Sequence, residues 1–424
     1  MKKTSAIILA AGKGIRMRSP MPKALCALSG KPMVHFLLKA VKRTGVKCPV
    51  VIGGYKIELL KKALAEEQVK LIRQKRLLGS ADAVKSASNY FKNFNGDILV
   101  LYSDTPLIRA STIKGMAKKH SSSKAVATIL TVVTDDPKEY GRVIRDDNNI
   151  CGIVEHADIK NSKLKTQNSK IEINVGAYCF NSKKLFEGLK RIKKNKKKGE
   201  FYLTDIIAYF YTQGYKINSY ATTDIDEALG VNRRSDLIDA EKILRRRTIE
   251  HLVDIGVTIK DPASTYIDSG AKIGRDTVIY PFVVIEEGVL IGAKCKVGPF
   301  AHLRKGTVLK NNSAVGNFVE VVRSKIGKGS RAKHHTYLGD TIIGKDVNVG
   351  AGTITANYDG KAKNKTVIHD GAFIGSGTTI VAPVKIGKRA MTGAGSVVVK
   401  GKNVAPGSVV VGVPAKPLIK KKNK

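Results

Sequence analysis

The sequence predicts two architectures in one chain: a Rossmann-like α/β domain with a mostly parallel sheet, then a parallel β-helix built from six-residue repeats. Three observations carry this. Ile267, Ile273, Ile279, Ile285, Ile291, Val297, Leu303, Leu309, Val315 and Val321 stand six apart without a miss. Residues 1–230 alternate strand-like and helix-like segments. The first strand opens into a glycine-rich turn carrying cations, Gly12-Lys13-Gly14-Ile15-Arg16.

Taken in order, Ser5 to Leu9, Pro49 to Ile52, Ile98 to Tyr102 and Ala127 to Val133 read as buried strands, with helices over Lys31 to Thr44 and Ile57 to Glu66 between them. That is a βαβ pattern. From Ser235 to Val253, apolar residues recur every three or four positions, which predicts a connecting helix with Ser235 as its N-cap. The ladder follows. On a helix a step of six would scatter side chains around the axis, whereas on strands of period two it returns each time to one face. Glycines at 274, 292, 298 and 316 follow ladder residues, as a tight corner requires. After Val321 the step falls to five twice, at Ile326 and Ile343, and a longer interruption ends at Ile368. Polar residues crowd this irregular stretch, which points to a site there. The expected organisation is a first domain at 1–230, a connecting helix at 231–254, a β-helix at 255–412 and a basic tail at 413–424.

Composition narrows the function classes. The 424 residues suffice for two or three cores. Cys26, Cys48, Cys151, Cys179 and Cys295 show no paired or metal-ligand spacing, so reduced thiols in a cytoplasmic protein are expected. The apolar run after Lys2-Lys3 is too short for an export signal, and no segment approaches a membrane span. A net charge of +40 invites a nucleic-acid reading, but the basic residues are dispersed, aromatics are only 6% and no nucleic-acid motif is present. The runs at Lys193–Lys198 and Lys420–Lys424 read as solvated loop and tail. No specific nucleic-acid partner is expected; the positive field suits phosphate-bearing substrates instead.

Glycines after a strand leave backbone N–H groups free to face phosphate oxygens, and Lys13, Arg16 and Lys23 add three cations within eleven residues. The turn is neither a Walker A loop nor a dinucleotide fingerprint. Tyr102-Ser103-Asp104 ends an apolar strand, where parallel sheets place ligands. Its carboxylate reads either as a Mg²⁺ ligand or as a loop N-cap before Thr105-Pro106.

The segment Leu9 to Lys23 resembles the signature of the sugar-1-phosphate nucleotidyltransferases. Gln74, Gly79-Ser80, Tyr102 to Asp104, Tyr140-Gly141-Arg142, Glu155, Asn174 and Gly230-Val231-Asn232 fall in the order of one branch. That branch is the bifunctional N-acetylglucosamine-1-phosphate uridylyltransferase/glucosamine-1-phosphate acetyltransferase (GlmU) family. The resemblance covers nearly the whole chain and implies a left-handed β-helix. It also implies UTP bound over Leu9, Ala10, Ala11, Gly12 and Gly14, with Gln74, Gly79 and Ser80 at the uracil and Tyr102 beside them. Asp104 and Asn232 would hold Mg²⁺, and Gly141, Glu155 and Asn174 the N-acetylglucosamine moiety. Arg16 and Lys23 would neutralise charge as the sugar phosphate attacks the α-phosphorus and pyrophosphate leaves. Departures from the family pattern are Ile15 for Thr, Ser103 for Gly and Leu229 for Glu.

In the second half, acetyl transfer to an amine needs a base, and histidine is the side chain best suited to it near neutral pH. The resemblance implies His334 as that base, with Glu320 beside it to orient the ring and His335 as a competitor. Arg304, Tyr337, Asn348 and Lys363 would bind glucosamine-1-phosphate, with Asn357 and Tyr358 in the same pocket. Ala351, Ser376 and Ala394 would line the acetyl-CoA groove. Where the family carries Lys after Phe-Val-Glu-Val, this chain has Val322; Arg323 is adjacent, but neighbouring strand residues face opposite ways. Two other readings stay open: a nucleotidyltransferase whose β-helix serves only assembly or regulation, and a basic binding protein with degenerate sites. Hexapeptide acyltransferases are typically trimers with sites between subunits, so a homotrimer is expected.

Overall fold

The structure, a computed structural model, describes residues 3–161, 170–195 and 199–418. It divides into two compact units, 1–241 and 242–424. The runs at Lys196–Lys198 and Lys420–Lys424 lie outside the described residues.

In the first unit a central sheet runs in the order Ile217–Ala221, Ala127–Thr134, Ile171–Asn181, Asp97–Tyr102, Thr4–Ala10, Val50–Gly53, Lys70–Arg73. Pairing along it is parallel except at Ile171–Asn181, which is antiparallel to both neighbours. The strands are apolar on both faces because each face is covered. Ala6, Ile8, Leu99 and Leu101 pack with Leu37, Leu38, Val41, Ile113 and Met116 of the helices Val34–Lys42 and Ala110–Ser123. Ile7, Leu9, Ile98 and Val100 pack on the other side with Val84, Leu185, Ile206 and Phe210.

Local differences from the sequence reading have local causes. The helix expected from Lys31 starts at Val34, because Lys31–Pro32 pairs with Ala27–Leu28 in a short hairpin. Ser235 is not an N-cap. The helix runs Arg234–Asp254, and the Asp236 carboxylate inside its first turn accepts the backbone N–H of Asn232 (2.7 Å) and Arg233 (2.8 Å). Of this helix, residues up to Glu241 belong with the first unit.

The second unit is a three-sided parallel β-helix. Tyr266 pairs with Val284 and Val284 with His302, a coil of eighteen residues and thus six per side. Every aliphatic of the ladder points into one continuous core, from Ile267 to Val410. Two neighbouring coils are one residue short: Ala314 pairs with Arg331, and Arg331 with Asn348, each seventeen apart. The next coil is long, with Asn348 opposite Phe373, twenty-five residues on. These are the two steps of five and the interruption in the sequence. At the C-terminal end Val410 and Val411 pair antiparallel with Pro417 and Lys416, so the chain past residue 412 turns back onto the last coil.

The edges of the prism are sharp, and their corner residues take left-handed backbone. One edge carries Phe282, Phe300, Phe318 and His335 (φ 42° to 58°), continuing as Gly352, Gly377 and Gly395 (φ 68° to 72°). A second carries Gly288, Gly306, Arg323 and Asp340. Coil stacking also explains ladder glycines with ordinary φ: a Cβ on Gly316 would lie 2.1 Å from the Lys333 carbonyl oxygen of the next coil.

Because Leu303 is fully buried within this stack, Leu303→Ala is expected to destabilise the second unit by about 2–5 kcal/mol. Denaturant unfolding followed by hydrogen exchange of the ladder amides would read it. A loss confined to the first unit would contradict the assignment.

Candidate functional site

The carboxyl ends of strands Thr4–Ala10 and Asp97–Tyr102 open into a cleft of about 810 Å³, as expected for a parallel sheet. Leu9, Ala10, Ala11, Gly12, Gly14, Arg16, Lys23, Gln74, Gly79, Ser80, Tyr102, Asp104 and Asn232 all line it. Gly14, at φ 66°, lets the turn close on Lys23, since a Cβ there would come 2.6 Å from the Lys23 Cβ. Gly79, at φ 102°, faces the Phe201 carbonyl just as closely. The buried Gln74 is held by its amide nitrogen, which donates to the Gly79 carbonyl (3.1 Å) and Asp82 Oδ2 (2.8 Å). Gln74 thus lines the cleft with its amide nitrogen already engaged.

Lys23 is the hub of the cleft. Its Nζ donates to Asp104 Oδ2 at 2.5 Å and to Asn232 Oδ1 at 2.7 Å, and Arg16 Nη2 donates to the same Asn232 oxygen at 3.0 Å. Backbone ties the two acceptors together, with Val231 N donating to the Asp104 carbonyl at 2.8 Å. Among the described residues no group of three or more His, Cys, Asp or Glu gathers to hold a metal. Two oxygen donors nevertheless converge on one cationic point, which suits Mg²⁺, an ion that takes one or two protein ligands and completes its shell with phosphate and water.

Beyond Tyr102 the three residues expected at the sugar come together. Asn174 N donates to the Gly141 carbonyl at 2.9 Å, and a Cβ on Gly141 would lie 3.6 Å from Glu155 Oε2. Glu155 Oε1 accepts the Thr204 hydroxyl at 2.9 Å. Burial, with Glu155 and Asp104 nearby, pushes the Tyr102 hydroxyl well above its ordinary pKa.

Three residues here have no role in the sequence reading, although Arg142 belongs to its Tyr140-Gly141-Arg142 motif. Arg142 donates to the Pro137 and Lys138 carbonyls (2.9 Å each) and to that of Tyr140, so it shapes the loop before Gly141. Glu139 pairs with Arg233 (3.1 Å) and Arg16 (3.5 Å). Glu227 is fully buried; its Oε1 accepts Arg109 N and the Thr112 hydroxyl at the start of Ala110–Ser123, anchoring the segment that ends at Asn232.

In the β-helix, His334 lies on the strand Arg331–Gly339 opposite Asn317, exposed, and its ring makes no hydrogen bond or ion pair with a described residue. Glu320 is not beside it in register. The corner at Phe318 and His335 intervenes, so Glu320 falls on the next side, between His302 and Tyr337. There its Oε1 accepts from Arg304 Nη1 at 3.0 Å, and Arg304 in turn faces Glu286, which also meets His302 at 3.0 Å. Glu286 and His302 carried no signal in the sequence beyond the coil spacing. His335 is committed elsewhere: its ring stacks on Phe318, 5.0 Å between centroids, ending a column that includes Phe300 and Phe282.

By coil count, His334 heads the column Ala351, Ser376, Ala394. Gly377 N donates to the Ala351 carbonyl at 2.6 Å and Gly395 N to that of Ser376 at 2.8 Å. Beside this column the edge changes from aromatic to bare glycine at Gly352, leaving backbone open along Gly377 and Gly395. Asn348 sits on the same side as His334 and Ala351, between the corners at Asp346 and Gly352, and pairs with Arg331. The long coil throws out a hairpin closed by a Tyr358–Lys363 bridge, with Asn364 N on the Asn357 carbonyl at 2.7 Å. Val322 is buried, and Arg323 turns outward onto Asp340.

Comparison with known proteins agrees with both halves. Residues 5–240 match the nucleotidyl transferase family, 262–358 the GMPPB C-terminal domain and 365–400 the bacterial transferase hexapeptide (six repeats) family. A protein described as bifunctional protein GlmU from Streptococcus mutans is 42% identical, over 96% of this chain and 95% of its own. The corresponding protein of Thermotoga maritima is also 42% identical, over 96% of each chain, and that of Geobacillus thermodenitrificans 40%, over 94% and 93%. The chain therefore belongs to the nucleotidyl transferase family and, along nearly its whole length, to the bifunctional GlmU proteins.

Proposed function

We propose that the chain makes UDP-N-acetylglucosamine in two steps: acetyl transfer from acetyl-CoA to glucosamine-1-phosphate, then uridylyl transfer from UTP to the acetylated sugar phosphate. The observation that carries the second step is the meeting of Lys23, Asp104 and Asn232, partners 81 and 209 residues apart in the chain, at the foot of the glycine turn. The turn's N–H groups and Arg16 bind the triphosphate, and Gln74 and Gly79 receive the uracil. Gly141, Glu155 and Asn174 orient the sugar so that its phosphate oxygen attacks the α-phosphorus in line. The bond to the β-phosphate breaks and pyrophosphate departs. That oxygen is already anionic, so no base is needed, and neutralisation by Arg16 and Lys23 lowers the barrier. Asp104 and Asn232 would hold Mg²⁺, which supplies further charge neutralisation when bound.

For the first step, the supporting observation is the unpartnered His334 at the head of the Ala351–Ser376–Ala394 column. The bare glycine edge admits the extended arm of acetyl-CoA against backbone, and His334 takes the proton of the acceptor amine as its nitrogen attacks the thioester carbonyl. The thiolate of CoA leaves and is reprotonated. Glu320 acts on the acceptor side, through Arg304 and next to Tyr337. Arg304, Tyr337, Asn348, Asn357, Tyr358 and Lys363 form the acceptor pocket. A cytoplasmic homotrimer with sites between subunits belongs to the same reading. No helix among the described residues is long and apolar enough to cross a membrane.

A second reading, uridylyl transfer alone with the β-helix as a scaffold, is favoured by one observation: Val322 is buried and apolar where the family has a phosphate-gripping lysine.

Asp104→Ala is expected to cut pyrophosphate release from UTP and N-acetylglucosamine-1-phosphate about 100-fold or more, since a cation ligand supports several kcal/mol of charge stabilisation. A rate within a fewfold of wild type would remove Asp104 from the mechanism. CoA release with glucosamine-1-phosphate decides between the two readings. Wild type should be active, His334→Ala slower by about 10²–10⁴-fold, and Val322→Lys should show a lower KM for the acceptor. A silent wild type that Val322→Lys awakens would establish the second reading, whereas silence in both would end the acetyl-transfer proposal.

A further inference from the structure

Gly288, Gly306, Arg323 and Asp340 occupy one edge of the β-helix in successive coils, all with positive φ. The first two are glycines, which take left-handed backbone freely. Arg323 (φ 45°) and Asp340 (φ 49°) take it with full side chains, and those side chains meet. Arg323 Nε donates to Asp340 Oδ1 and Nη2 to Oδ2, both at 2.7 Å, a fork-to-carboxylate match that holds direction as well as charge.

One coil further on, the same edge is where the long coil leaves the prism. Its hairpin rests on Asp340 at both ends: Asn357 Nδ2 donates to Asp340 Oδ2 at the start, and Thr366 N donates to the Asp340 carbonyl (3.3 Å) at the return. Asp340 N is itself fixed on the Val322 carbonyl at 3.0 Å. The Arg323 guanidinium, with help from Asn357 and Lys363, holds the Asp340 carboxyl below the usual carboxylate range, so it stays an acceptor for both partners. The space between hairpin and prism is tight. A Cβ on Gly339 would lie 2.6 Å from Asn357 Nδ2 and 2.7 Å from the Tyr337 hydroxyl, so both side chains border the same narrow space over Gly339. The hairpin tip is stiffened separately by Asp359, whose carboxylate accepts Lys361 N (3.1 Å), Ala362 N (2.9 Å) and Asn364 Nδ2 (3.0 Å). The tip is also tied to a later coil, with Lys400 Nζ donating to Asp359 Oδ2 at 3.3 Å.

We propose that Arg323 is a positioning residue for the acyl acceptor: through its two-point grip on Asp340 it sets the stance of the hairpin base, and so places Asn357, Tyr358 and Lys363 against Tyr337. Arg323 does not replace the lysine missing at 322 by contacting phosphate. It acts one step removed, by holding the loop whose own lysine, Lys363, faces the acceptor. This inference rests on the acetyl-transfer reading of the β-helix.

The test uses the full-length protein with Arg323→Ala, Arg323→Lys and Asp340→Asn. For Arg323→Ala, the KM for glucosamine-1-phosphate should rise about tenfold or more, while the KM for acetyl-CoA stays within twofold and kcat falls less than the acceptor KM rises. Asp340→Asn should follow it, and Arg323→Lys, which keeps the charge but not the fork, should recover part of the loss. Pyrophosphate release by the first unit should not change. Hydrogen exchange of amides 357–366 should quicken in Arg323→Ala, with the ladder amides unchanged. An unaltered acceptor KM together with unaltered exchange overturns the proposal, as does a uniform loss of ladder protection, which would make Arg323 merely structural. If the wild type releases no CoA, the acetyl-transfer reading fails; the exchange comparison still decides the grip, and unchanged protection at 357–366 would reject it.

Discussion

Coil-on-coil backbone pairing is the constraint from which the geometry of the second unit follows. Each coil lies about 4.8 Å above the last, and its N–H and C=O groups are satisfied by the coils on either side, so residues one coil apart must form a column. A side chain's neighbours are then decided by coil length and not by nearness in sequence. His334 sits between Asn317 and Ala351 because two consecutive coils are seventeen residues long. Glu320, fourteen positions earlier, falls on a different side of the prism and reaches Arg304 instead. The aliphatic ladder makes this possible by filling the interior with residues of similar size, which leaves the outward positions and corners free to vary.

The first unit solves a different problem, that of bringing distant charges to one point without a repeat. The sheet fixes Asp104 at a strand end, the glycine turn folds Lys23 over it, and the segment anchored by the buried Glu227 delivers Asn232. None of these placements is independent. Glu227 holds Arg109 N and the Thr112 hydroxyl at the start of the helix that begins at Ala110, only a few residues after Asp104. The same backbone that leads away from the carboxylate is therefore tied to the backbone that arrives with the carboxamide.

Much of this was legible in the sequence, and the reasons for the remainder are physical. The ladder could be read because every coil repeats one burial environment, so the signal accumulates across twenty-two coil sides without knowledge of contacts. The glycine turn and Asp104 could be read because strand ends in parallel sheets are where ligands go. The long antiparallel strand Ile171–Asn181 escaped notice, since its direction is settled by the two strands it separates and by nothing in its own residues. Residue type alone marks Ser235 as a helix cap, whereas Asp236, inside the helix, reaches back to accept the N–H groups of Asn232 and Arg233. Glu320 and His334 fall out of register for a related reason: strand alternation describes a flat sheet, whereas the corner with positive φ at His335 puts residues on either side of it on different sides of the prism.

The edge that turns from stacked rings to glycine has a metric consequence. Between His334 and Ala394 lie three coil rises, about 14 Å, along which no side chain stands at the corner beyond His335. Such an edge is a gauge marked in whole coils. The distance from His334 to the last bare glycine cannot be adjusted continuously; it changes only by adding or removing one rung. A solenoid of this kind sets lengths along its edge by counting, independently of the side chains that its faces carry.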